Sequence, residues 1–437
     1  MKFTLIRCEI ALAGRWAVTG IARANDEVDQ PVMRDPRSPE RPYLPTPSLA
    51  GSLRDHLGLA LSTVWLGNDI GEREVRGSST TRGRLRMLGT RSAVSAIDHR
   101  GTTAIASDRG AAESGALRTE ETTGPTTVTV IMEHDGEADA ALITALTSWR
   151  PDVGRGRSTG LGRARLAQAD AVTVNLDIPE HLTWWLGARA DYLVGQGGPP
   201  AGMTPTPIEP ATIHPPPGLP MRVVEPLHVG SDNERGDNPI QPILRCTGRG
   251  GRPYIPGSSW KGVFRHRLTF ILDAVGASPT ERKLIVGALF GHSSVGRGVL
   301  RFHDSDLVAE GSVTQTHVAI DRFTGGAREG SLFTFEAVPR GVEFTLTIEG
   351  QEGLPTVGNM LDHVLRDLSE GLIGVGGHGS RGYGWIETMD TGDTSAVRPV
   401  VVGDVISELG LSPAAGRAEN DSGATARPAA RGNGSAE

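Results

Sequence analysis

The stretch RPYLPTPSLAGSLRDHL, Arg41 to Leu57, returns as RPYIPGSSWKGVFRHRL, Arg252 to Leu268, with eight of seventeen positions identical at a spacing of 211 residues. A chain that repeats such a phrase must build the same supersecondary unit twice, which restricts its fold more than composition does. Residues before proline avoid the α region, so each Pro-Tyr-aliphatic-Pro lead is extended. A helix follows in both copies. Leu49, Leu53, Leu57, Leu61 and Val64 fall at helical spacing, and so do Trp260, Phe264, Leu268, Leu272 and Val275. Ser48 and Ser259 stand near the helix starts as candidate caps.

Five further blocks recur in the same order. VDQPVMRDP pairs with GDNPIQPIL, setting Asp29 on Asp237. WLGND pairs with LFGHS, AIDHRG with AIDRFTG, and LRTEETTG with LFTFEAVPRG. GRGRSTGLGRARL pairs with GGHGSRGYGWIE, setting Gly160 on Gly382. The order and small drift in spacing identify an internal duplication. Each unit reads strand–helix–strand–strand–helix–strand, an α+β, ferredoxin-like (RRM-like) arrangement with long insertions and Gly-rich loops. The second helices fall at 138–149 and 357–372, and a helix at 179–193 closes the first unit. The expected organisation is a first module at 1–194, a Pro/Gly-rich linker at 195–219, a second module at 220–395 and a C-terminal tail at 396–437. Past about residue 411 the tail has a disordered composition.

The chain of 437 residues has two cysteines, Cys8 and Cys246, too few for a disulfide framework and in no metal spacing. The N-terminus lacks a signal-peptide pattern and no apolar run is long enough for a membrane span, so a cytoplasmic location is expected. Net charge is −7, mildly against a nucleic-acid binder, although local patches matter more than the total. The basic residues are nearly all arginine, with Lys2, Lys261 and Lys283 the only lysines. Arginine supplies planar, bidentate phosphate donors, and a GC-rich genome would give the same bias.

Several residues invite chemistry. Lys261 and Arg265 lie one turn apart beside the apolar stripe of the helix in the second copy of the phrase, after Ser259; the first copy keeps Arg54 but has Ala50 for the lysine. A helix start with two cations suits phosphate, and a solvated helix face has the same pattern. The segment GVGGHGSRGYG, with Gly376, Gly377, Ser380 and Arg381, matches Arg157, Ser158 and Arg163 of the first copy. Dense glycine lets a backbone approach an anion closely, or makes a tight turn against its own helix. Asp29 and Asp237 each precede a proline within two residues, where aspartate commonly makes turns; a catalytic role is the alternative. His303, Asp304 and Asp306 in HDSD could hold a metal or end a strand.

These blocks resemble the RAMP superfamily, in the form of backbone subunits of type III CRISPR effector complexes. The second half carries the resemblance in LHVGSDNERGDNPIQPIL, PYIPGSSWKGVFR, AIDRFTGGAREGSLFTFEAVPRG and GVGGHGSRGYGWIE. The first half carries it in DEVDQPVMRDP, PYLPTPSLAGSLR and GRSTGLGRARL, with more divergence. The resemblance implies two tandem modules that bind CRISPR guide RNA, as in type III-D-like fusions. A loop aspartate would cut complementary target RNA with a divalent metal, Mg or Mn. By position that residue is Asp237, and Asp29 in the first module, with Asp26 as the fallback. Thumb-like hairpins, or contacts to the nearby duplex, would lie at Asp98–Gly124 and Asp321–Gly330. Partners would include the large polymerase-like subunit and small subunits, and no membrane. A scaffold without cleavage and a guide-processing endoribonuclease are the competing readings.

Overall fold

The structure is a computed structural model that describes residues 1–22, 28–67, 82–105, 113–212, 216–230, 240–247, 250–292, 296–389 and 398–411. The first half runs through β1 (Lys2–Leu12), α1 (Thr46–Leu66), β2 (Leu85–Ser92), β3 (Ile97–Thr102), β4 (Arg118–Thr123), β5 (Thr126–Asp135), α2 (Ala140–Thr147), β6 (Ala164–Asn175), α3 (Pro179–Gly187), α4 (Arg189–Leu193) and β7 (Thr206–Ile208). Its antiparallel sheet has the order β2-β5-β1-β6-β7. The second half runs through β8 (Gly218–Val223), α5 (Gly257–Ala274), α6 (Pro279–Phe290), β9 (Arg301–Phe302), β10 (Val313–Ile320), β11 (Ala327–Ala337), β12 (Glu343–Glu349), α7 (Pro355–Ser369), β13 (Ile386–Thr388) and α8 (Val402–Glu408). Its sheet has the order β9-β12-β8-β13. Leaving aside the edge strand β7, both sheets place second, third, first and fourth strands side by side, the ferredoxin-like order.

Alternation along the strands and the helical stripe meet in one core per half. In the first, Ile6, Cys8, Ile10 and Leu12 of β1 pack with Leu49, Leu53 and Leu57 of α1 and Leu142 and Leu146 of α2. In the second, Met221 and Val223 of β8 pack with Trp260, Phe264, Leu268 and Leu272 of α5 and Met360, Val364 and Leu368 of α7. No helix among the described residues is long and apolar enough to cross a membrane.

The structure revises several local expectations. Leu61, Val64 and Val275 are exposed. Gly58, with non-helical angles inside α1, turns the end of that stripe away from the core. Pro45 and Pro256, not Ser48 and Ser259, occupy the N-cap positions, and neither helix has a side-chain cap. The helix expected at 179–193 is two, broken at Ala188. Residues 206–208 of the supposed linker add an edge strand to the first sheet. The start of the supposed tail is α8, whose Val405 enters the second core. Glu408 accepts from the Thr356 and Val357 amides at 2.8 and 2.9 Å and so caps α7. Helix α6 was not anticipated, although its Ser278–Glu281 capping box is written in the sequence.

Each half ends its second crossover in a turn of left-handed residues. Gly154, Gly156, Gly160 and Gly162 match Gly376, His378, Gly382 and Gly384 one for one, all at positive φ. Nothing larger fits at the first and last positions. A Cβ on Gly154 or Gly376 would lie 2.0 or 2.3 Å from the carbonyl oxygen of Ala17 or His228. On Gly162 or Gly384 it would lie 1.8 or 2.1 Å from that of Val153 or Val375. Gly384→Ala is expected to cost about 2 kcal/mol or more, from a left-handed alanine and the displaced carbonyl. Gly403→Ala, with open space around it, should leave stability unchanged or raised; thermal unfolding of both variants checks this.

Candidate nucleic-acid interface

Two hairpins project from the sheets, β3–β4 in the first half and β10–β11 in the second. Both lie where the sequence placed thumb segments. Residues around the tip of β10–β11 are strongly exposed for apolar groups: Phe323 is 83 % exposed, Leu332 69 % and Ile320 62 %. Asp321 accepts from the Phe323 and Thr324 amides, both at 2.9 Å, and fixes the turn.

Backbone bridges at the hairpin roots give the register between the halves. Trp16 bridges Thr123, Thr19 bridges Val32, and Gln30 bridges Glu120; Leu227 bridges Val338, Gly230 bridges Ile243, and Gln241 pairs with Phe335. The buried Glu121 accepts from the Val32 amide at 2.8 Å, and Glu336 accepts from the Ile243 amide at 3.2 Å. Thr19 with Gly230 and Gln30 with Gln241 are both 211 residues apart, so the intervening loop has one length in both halves. Asp237 therefore counts onto Asp26, and Asp29 counts onto Ile240. This corrects the sequence pairing of Asp29 with Asp237, which aligned the wrong prolines. The phrase QPV at Gln30–Val32, matching QPI at Gln241–Ile243, was the signal that could have found it. Asp26 and Asp237 lie outside the described residues. Asp29 is an exposed turn residue whose carboxylate accepts from the Thr119 amide at 2.8 Å and its hydroxyl at 3.1 Å. The backbone bond and then the hydroxyl bond lower its pKa.

Much of the expected phosphate grip is engaged inside the chain, at a seam between the halves. Lys261 Nζ donates to Ser158 Oγ at 2.8 Å. Burial, then the nearby Arg265, lowers the Lys261 pKa. Arg163 donates to Glu349 at 3.0 Å, and burial lowers its pKa against the pull of that carboxylate. Asp152 accepts from both guanidinium nitrogens of Arg301 at 2.9 and 2.6 Å, and from Arg297 at 2.5 Å. Arg15, 2 % exposed, grips Asp304 with two bonds at 2.8 and 2.9 Å and lies over the Tyr254 ring. Burial acts to lower the Arg15 pKa, and Asp304 overrides it, so the net direction is up. His303 meets Glu349 at 3.0 Å. HDSD is thus a seam element: Asp304 serves Arg15 and the Gly257 amide. Arg54 donates to the Gly67 carbonyl at 2.8 Å, closing its own helix. Ser259 is half-buried in the first turn of α5, Arg157 is half-buried in the first glycine-rich turn, and Arg265 is exposed.

The glycine-rich turn of the second half remains at the surface, with Gly376, Gly377, Ser380 and Arg381 exposed. Beside it the root of β10–β11 gathers rings that the sequence reading left scattered. His378 stacks on Phe335 with centroids 4.2 Å apart, and His317 stacks on Phe335 and Phe333 at 5.3 and 5.6 Å. The His317 ring lies 2.8 Å from the Tyr383 hydroxyl, and Arg381 covers Phe333 at 4.8 Å. The matching place in the first half is ionic. Arg100 and Arg155 flank Glu120 there, with Arg100 Nε donating at 3.1 Å and Arg155 Nε forming an ion pair at 3.7 Å. Among the described residues no three His, Cys, Asp or Glu side chains converge to hold a metal ion. They do not supply a divalent-ion cage, and no chemical step is routed through one.

The strand order, the projecting hairpins and the left-handed turn define an α+β module of the ferredoxin-like class. The RAMP superfamily model matches residues 221–387, from β8 into β13, so the second half carries a RAMP superfamily domain. No curated protein matches the chain.

Two measurements test these assignments. Asp304→Asn removes the partner of a buried guanidinium and is expected to cost about 3–5 kcal/mol in urea unfolding. Burial, the largest cause in each, depresses the pKa of His228 and His378 below 6.5. The unfolded chain therefore binds more protons just below pH 6.5, so stability is full above that pH and falls on acidification. Unfolding from pH 7.5 to 5 should show the decline, and His378→Gly should flatten it.

Proposed function

We propose that the chain is a guide-RNA-binding backbone subunit of a type III CRISPR effector complex, built of two tandem RAMP modules, and that the second cleaves complementary target RNA through Asp237. The observation that carries this reading is the RAMP superfamily match at 221–387, within which Asp237 falls in sequence between Gly230, bridged to Ile243, and Gln241, paired with Phe335. The matched bridges, strand orders and left-handed turns support duplication. The exposed turn with Ser380 and Arg381, the exposed Arg265 and the arginines of the β10–β11 hairpin are suited to phosphate. The large polymerase-like subunit and small subunits would complete the assembly.

The chemistry uses the feature that separates RNA from DNA. A carboxylate beside a splayed nucleotide takes the proton of the 2′-OH as its oxygen attacks the neighbouring phosphorus. The bond from phosphorus to the 5′ oxygen breaks, and that oxygen leaves as a hydroxyl after protonation. The products are a 2′,3′-cyclic phosphate and a 5′-OH end. For the first module a scaffold role is the second reading, favoured by the Arg100–Glu120–Arg155 cluster at its hairpin root.

In complex purified with its partners and guide, labelled complementary RNA should be cut at a position that Asp237→Ala erases while target binding persists. Asp29→Ala should leave every cut in place. If the first module is also a nuclease, Asp26→Ala removes a second cut. Target binding with no cut dependent on Asp237 would sink the catalytic assignment.

A further inference from the structure

We propose that the ring cluster at the root of the β10–β11 hairpin is a stacking site for one unpaired RNA base, with His378 and Arg381 forming its exposed side. The inference rests on the RNA-binding reading above and adds a base contact to it.

Four observations carry it. First, His378 is the one non-glycine among the described residues with positive φ, at 62°. A left-handed histidine costs free energy that glycine avoids, and such strain persists where a side chain is needed. Second, the fold does not need these rings. The first half builds the same turn and hairpin root with Gly156 at the His378 position, Thr102 for His317, Arg118 for Phe333, Glu120 for Phe335 and Leu161 for Tyr383. Third, the cluster is graded from inside to outside. Phe335 is buried, His317, Phe333, His378 and Tyr383 are half-buried, and Arg381 is exposed. Stacked rings covered by a guanidinium offer a sequence-tolerant surface to a base, since every base has a π face. Fourth, Arg381 donates to Nδ1 of His378 at 2.7 Å. That places the imidazole proton on Nε2, which has no hydrogen-bond partner among the described residues and can donate to a base carbonyl or ring nitrogen.

A core-packing role alone does not account for the strain or for the half-exposure. A metal-binding role is not supported, because the three histidines of this region are arranged ring on ring and do not converge as ligands.

The experiment uses the full chain and a twelve-nucleotide single-stranded RNA with 2-aminopurine at successive positions. Wild type should quench one position strongly, the mark of a stacked base. His378→Gly and His378→Asn both tolerate the left-handed backbone. They should unfold at the same or higher temperature, lose that quench and weaken binding about tenfold. Phe333→Tyr should keep the quench and Phe333→Ala should lose it. Unchanged quench and affinity in both His378 variants, with wild type binding RNA, would overturn the stacking site and leave the RNA-binding reading standing. Wild type without RNA affinity at moderate salt would overturn both.

Discussion

The contact on which each half depends is a backbone pressed against a backbone. Gly154 sits against the Ala17 carbonyl and Gly376 against the His228 carbonyl, with no room for a side chain. This closes the end of the first strand onto the turn that leads into the fourth. Once it is made, the bridge from that strand end to the hairpin root follows, and so do the bridges at Thr19 and Gln30, or Gly230 and Gln241. A hairpin root and a turn from distant parts of the chain thereby share one corner of each half.

The two corners share their geometry and differ in chemistry. One is filled by arginine and glutamate, with Arg100 and Arg155 paired to Glu120. The other is filled by stacked rings, with the exposed Arg381 over Phe333. A buried or half-buried ion pair is stable only while both partners remain, so the first corner resists change. The aromatic corner tolerates a ligand, because stacking adds a layer without removing one.

The repeated phrase made the sheet order and both main helices legible, since helical and strand periodicities recur in both copies. Trp260, Phe264 and Leu268 were legible as core from spacing alone, and their counterparts Leu49, Leu53 and Leu57 likewise. The seam was not legible. Nothing in the sequence tells Lys261 from a free phosphate donor, because its partner Ser158 is 103 residues away and joins it only when the halves meet. Asp304 was equally opaque, with Arg15 289 residues distant. The pairing of the loop aspartates was obscured for a different reason: two prolines lay within reach of one alignment, and the QPV and QPI phrases together with the bridges at Gln30 and Gln241 decide between them.

The seam joins unlike surfaces, the glycine-rich turn of one half and the helix start of the other. Such a joint is heterologous, so the corresponding surfaces of the other half take no part in it. Those surfaces differ in their residues. At the positions of Arg15, Asp152 and Arg163 the second half has Pro226, Gly374 and Trp385, and at the position of Lys261 the first half has Ala50. The joint between the halves is thus written once in the chain, in Arg15, Asp152 and Arg163 on one side and Lys261 on the other.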